Sequence, residues 1–207
     1  MVRKLVAAGA VAVLAVACAK DTPAPTGAYE VRVPLYASRG GMADFNLGTH
    51  MTGDEEVFTP SVPGAPTPAD SRAQGEAIFR VSADGHHVDF RLIASNIDNV
   101  IMSHIHCAPA GVNGPIRMWL YPVIGPTGAP APAGAGRQDG VLATGTFDPT
   151  GVTCPASAVG QTMPLLDAMR AGLTYVNVHT NDGVPPINTG PGDFPGGEIR
   201  GQLDHGR

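Results

Sequence analysis

The chain has 207 residues, a formal net charge of −5 and only 13 lysines and arginines, none of them a lysine beyond Lys20. No basic cluster occurs, which argues against nucleic acid as a partner. The 27 glycines and 20 prolines interrupt the chain too often for long helices and suit many short strands joined by turns.

Residues 1–17 read as a secretory signal peptide. Arg3 and Lys4 form its basic start, and the apolar run from Leu5 to Ala17 is too short to span a bilayer. The exit, Leu14-Ala15-Val16-Ala17-Cys18, places small residues before a cysteine, although Leu14 stands one place further from Cys18 than is usual in a lipobox. Cys18 is the expected lipidation site, giving an exported, membrane-anchored lipoprotein at the outer membrane or cell surface. The plainer alternative is an ordinary signal peptide cut after Ala17. Residues 18–27 then form the lipid anchor and a polar, proline-rich tether. Residues 28–42 are ambiguous. Tyr29 to Val33 alternates like an edge strand ended by Pro34, and Gly40-Gly41 breaks the chain again.

Residues 43–207 are expected to form one β domain. Residues 59–69 are a Pro/Gly loop. The strand at 75–81 leads through Ser82-Ala83-Asp84-Gly85, a hairpin turn, into a strand at 87–93, with His86 and His87 solvated at the turn. Residues 99–106 form the next strand. Ile101, Ser103 and Ile105 share one face, and Val100, Met102, His104 and His106 share the other. Residues 115–121 follow with the single tryptophan, then a loop over 122–139 and a strand at 141–147. A proline at 164, Leu165, Leu166 and Met169 at helical spacing and Gly172 past the end predict one short helix. A final hairpin pairs 174–180 with 198–203. There Val176, Val178, Ile199 and Leu203 face a core, and Tyr175, Asn177, His179, Glu198, Arg200 and Gln202 lie opposite. The fold expected is all-β, an antiparallel β-sandwich or Greek-key barrel with one short helix.

With Cys18 spent on the anchor, Cys107 and Cys154 remain, and an exported compartment permits a disulfide between them. Two free thiols, or Cys107 as a metal ligand beside His106, are the alternatives.

His104-Ile105-His106 with Gly111-Val112-Asn113-Gly114-Pro115, the segment 171–180, and Phe194-Pro195-Gly196-Gly197-Glu198-Ile199-Arg200-Gly201-Gln202-Leu203 closely resemble the CHRD domain, known from chordin and from bacterial exported proteins. Gly53-Asp54-Glu55-Glu56-Val57 resembles its opening motif, with Phe58 where a proline is usual. The resemblance covers about residues 43–205. It implies an immunoglobulin-like or barrel fold and, from chordin, extracellular binding of protein partners. It implies no established reaction.

Two roles fit the polar face. His104, His106 and His179 supply three imidazoles suited to copper or zinc. The His-x-His strand is similar, more loosely, to the copper strand of copper/zinc superoxide dismutase, but that enzyme's further His and acidic cluster is missing, so dismutase chemistry is not expected. Alternatively these residues form a structural network, with His104 or His106 bonded to Glu198, Arg200 paired with Glu56 or Glu198, and Asn177 and His179 capping the loop at 181–195. No nucleophile-base pair, paired-acid motif or phosphate loop is present, so the chain does not read as an enzyme. The expected work is binding or surface structure at the cell envelope, through the loops 59–74, 122–139 and 181–195, toward an extracellular protein or polymer.

Overall fold

The structure, a computed structural model, describes residues 45–123 and 129–205. The expected signal peptide, the expected lipidation site Cys18, the expected tether and the strand expected at 29–33 lie outside these residues.

The strands are β1 (Phe45–Thr52), β2 (Gln74–Val81), β3 (Val88–Asp98), β4 (Val100–Cys107), β5 (Ile116–Tyr121), β6 (Arg137–Phe147), β7 (Thr153–Cys154), β8 (Met163–Pro164), β9 (Thr174–Thr180), β10 (Ile199–Gln202) and β11 (Asp204–His205). Two short helices, α1 (Ala156–Val159) and α2 (Leu165–Arg170), lie between β7 and β9. The main sheet runs β5-β4-β9-β10-β1-β2-β3-β6, with every neighbouring pair antiparallel. Its end strands β5 and β6 lie against each other, so the sheet is nearly closed into a barrel. β11 pairs with β1, and β7 and β8 form a separate two-stranded ribbon.

Local chemistry explains the connections. Asp84 accepts hydrogen bonds from Ser82 Oγ at 2.6 Å and from the His86 amide at 2.9 Å, and Gly85 takes φ +73° to close the β2–β3 turn. His86 and His87 are exposed there. Between β3 and β4 a single residue, Asn99, turns the chain across the barrel in the left-handed conformation, φ +56°, that asparagine tolerates. Its side chain accepts from the Gly136 amide and donates to the Gly192 carbonyl, tying the bend to two distant loops.

The core holds Leu47 and Met51 of β1, Phe79 and Val81 of β2, Phe90 and Leu92 of β3, Ile105 of β4, Leu120 of β5, Val176 and Val178 of β9, Ile199 and Leu203. The helix α2 adds Leu165, Ala168 and Met169. The disulfide joins Cys107 at the end of β4 to Cys154 in β7, with Cα atoms 5.6 Å apart and both residues fully buried. Free thiols, and Cys107 as a metal ligand, are thereby set aside.

Two expectations need correction. Val100 does not share a face with Met102. A register irregularity between them sends Val100 into the core. The loop expected over 122–139 is also shorter, because β6 already begins at Arg137. Every residue of β9 is buried, because segments around 56–58, 108–115 and 190–198 fold over the outer side.

Candidate metal centre

Register assembles the site. Across β4 and β9, Met102 stands opposite His179, His104 opposite Asn177 and His106 opposite Tyr175. Across β9 and β10, Asn177 faces Arg200 and Tyr175 faces Gln202. On the hairpin side His104 faces Trp119 of β5. Because side chains alternate, His104, His106, Tyr175, Asn177, His179 and Arg200 share the sheet face opposite the core. Phe58 and Phe194, ring centroids 5.7 Å apart, and the bond from Asn113 Nδ2 to the Val57 carbonyl, 2.9 Å, hold the covering segments together.

One ring nitrogen from each of His104, His106 and His179 lies within 4.8 Å of those of the other two. The three residues are 0%, 7% and 5% exposed. His106 Nδ1 donates to the Gly114 carbonyl at 2.8 Å, and His179 Nδ1 donates to the Pro195 carbonyl at 2.9 Å. A carbonyl only accepts, so each contact fixes the proton on Nδ1 and leaves Nε2 as a bare lone pair. Gly114 can sit this close because a Cβ there would run into the Cys107 carbonyl. His179 Nε2, left to accept, lies 3.2 Å from His104 Nδ1, which can donate to it, and 2.9 Å from Asn177 Oδ1. The Nε2 atoms of His104 and His106 are buried without any hydrogen-bond partner. Buried polar atoms are usually satisfied, and these two orphaned nitrogens belong to rings whose centroids lie 5.5 Å apart. A metal at about 2.0–2.1 Å from each nitrogen would need them roughly 3.3–3.6 Å apart, closer than the 4.8 Å within which they lie.

Burial pushes the His104 pKa down to about 3, with the neighbouring His179 and His106 adding to the effect. Burial lowers His179 to about 4 and also lowers His106. All three rings are therefore neutral at pH 7, the form that binds metal. The ring of Trp119 meets His104 edge-on with centroids 4.2 Å apart, and Tyr175 stacks on His106 at 4.7 Å. On Tyr175 lies the Arg200 guanidinium, 3.4 Å from the ring centroid. Glu56 accepts from the Val57 amide through Oε1, while Oε2 is buried and unpartnered. Burial raises this carboxyl to about 7 against the pull of the Val57 amide, Arg200 and Asn177.

The expected network is redistributed. Neither His104 nor His106 bonds Glu198. That residue precedes β10, outside the alternating ladder, and its carboxylate turns to Ser71 Oγ, Thr180 Oγ1 and the Gly192 amide. Arg200 makes no hydrogen bond to Glu56 or Glu198. It donates to Asn113 Oδ1 and to the Val112 and Pro109 carbonyls, because those loop acceptors lie where its stack on Tyr175 points it. Glu56 feels Arg200 only electrostatically. His179 does bond the 181–195 loop, at Pro195. The roles of Tyr175, Trp119, Gly114 and Pro195 were missed. Tyr175 alternates with Asn177 and His179, so its face was legible, but the two carbonyl partners come from loops and carry no sequence signal.

No curated protein and no solved structure matches the chain. Its residues 47–203 do match the CHRD domain, from the strand before the Glu56 segment to the end of the last long motif, and the chain belongs to the CHRD domain family.

Proposed function

We propose that this chain is an exported, lipid-anchored CHRD protein that binds a metal ion, copper or zinc, at His104, His106 and His179. The observation that carries the reading is the pair of buried, unpartnered Nε2 atoms on His104 and His106, in a cluster whose third ring, His179, keeps its Nε2 lone pair turned to His104. Backbone carbonyls behind His106 and His179 are the outer support that metal-binding histidines ordinarily have. The signal peptide and Cys18 support export and anchoring, and a buried disulfide suits an oxidising compartment.

The test is metal content of protein purified from its native compartment, beside a His104→Ala, His106→Ala double variant. Near-stoichiometric copper or zinc that disappears in the variant is expected. A wild-type protein that neither carries metal nor retains it after loading and dialysis would end the reading. Cys18→Ala is expected to move the protein out of the membrane fraction, and retention there would end the anchor reading.

A second reading, surface binding through the long loops, has one observation in its favour. Each loop presents an exposed apolar side chain: Val62, Val123, and Val184 with Ile187. Val184→Asp, Ile187→Asp should then weaken binding to isolated envelope material without changing metal content.

A further inference from the structure

We infer that the three-histidine centre is built for monovalent copper in preference to a divalent ion. The inference rests on the metal reading above and names the ion and its charge.

The donors are three neutral imidazoles. Among the described residues no carboxylate or thiolate joins them in a ligand cluster. Cys107, next to His106, is held in the disulfide. Glu198 spends both oxygens on Ser71, Thr180 and Gly192. Glu56 is a partly buried carboxylate on this side of the sheet, and the guanidinium of Arg200 opposes its charge. The positive field of Arg200 also reaches His106. An entering cation thus receives no net anionic compensation, and each added unit of its charge is penalised by the enclosed site.

Geometry points the same way. Zinc seeks four donors in a tetrahedron, and divalent copper a tetragonal set of nitrogen and oxygen. Monovalent copper has a filled d shell, imposes no such geometry and is content with three neutral nitrogens. Trp119 lies edge-on against His104, and Tyr175 covers the face of His106, so aromatic side chains rather than further donors pack against the two rings. His104 has no solvent exposure at all.

The experiment uses the full mature chain, stripped of metal. Under anaerobic conditions monovalent copper is offered in competition with a chromophoric chelator, and Zn²⁺ and Cu²⁺ are titrated separately against chelators of known affinity. The single tryptophan, Trp119, sits against His104 and gives a second readout, since bound copper should quench its fluorescence. Monovalent copper is expected to bind at one ion per chain, tighter than Zn²⁺ by on the order of a hundredfold or more, given the penalty on unpaired buried charge. Zn²⁺ or Cu²⁺ binding as tightly or tighter would overturn this inference and leave the metal reading standing. No binding of any of the three would end both. The comparison is made on the wild-type protein, so no outcome depends on a variant that fails to fold.

Discussion

Glu198 is fully buried, and its carboxylate is the hub for the loop that covers the histidines. Oε1 accepts from Ser71 Oγ at 2.5 Å, and Oε2 accepts from Thr180 Oγ1 at 2.6 Å and from the Gly192 amide at 2.8 Å. Such short contacts are typical of charge-assisted bonds. Glu198→Ala removes all three acceptors. The Gly192 amide cannot turn away and is left unpaired, at about 1–3 kcal/mol. The two hydroxyls lose their acceptor but keep other partners, since Ser71 Oγ accepts from the Ala73 amide and Thr180 Oγ1 from the Phe194 amide. Recovered solvation of the removed carboxylate offsets part of the loss. A net destabilisation of about 1–3 kcal/mol is expected, the range for leaving a buried donor unpaired. Glu198→Gln keeps one oxygen for Thr180 and Gly192, and its NH₂ can donate to Ser71 Oγ, so about 1 kcal/mol is expected there. Denaturant melts of the three proteins measure this. Because the same loop supplies the Pro195 carbonyl to His179, Glu198→Ala should also weaken metal retention while Glu198→Gln should not. Equal losses for Ala and Gln, or a Glu198→Ala melt superimposed on the wild type, would refute the hydrogen-bond argument.

Metal-free protein should lose stability in mild acid. Between pH 4.5 and 6.5 the unfolded chain holds protons on His104 and His179 that the folded chain, with pKa values of about 3 and about 4, does not. Glu56, raised from 4.5 to about 7, puts one proton back on the folded side, so stability should rise with pH by about 1.4 kcal/mol per unit in that window. Lowered His106 adds to the same slope, which flattens toward pH 7 as the unfolded histidines and folded Glu56 lose their protons over the same range. Urea melts from pH 4.5 to 8 test this, and a flat or inverted profile below 6.5 would refute it. Replacing Cys107 and Cys154 by serine removes a cross-link spanning 47 residues of sequence, worth about 4 kcal/mol by loop entropy. A double variant that melts with the wild type under non-reducing conditions would refute that estimate. Arg200→Lys forfeits the bonds to Asn113 and Val112 and the stack on Tyr175, for an expected loss of about 2 kcal/mol. A loss below about 0.5 kcal/mol, the scale of an ordinary surface change, would mean the lysine ammonium serves equally well.

The chain's own order determined a good deal. Period-two alternation in 75–81 and 174–180 named the strands and the core residues Phe79, Val176 and Val178, because a pleated strand sends neighbours to opposite sides. Asp84-Gly85 named the hairpin, proline and glycine bracketed α2, and the two cysteines beyond Cys18 named the disulfide. Each signal is local, or needs only a count of residues. Tertiary structure decided the rest. His104 and His106 share a face by spacing alone, but only the β4–β9 pairing brings in His179 across 75 residues of chain. Glu198 was expected in the histidine network because strict alternation places it there. It turns instead to Thr180 and Gly192, because it stands just before the ladder begins and the loop beside it presents donors. The polar face is buried by loops from 56–58, 108–115 and 190–198 that fold over it. That burial keeps the imidazoles neutral and leaves two of their nitrogens without a partner, and it depends on contacts between distant segments that no short stretch of sequence encodes.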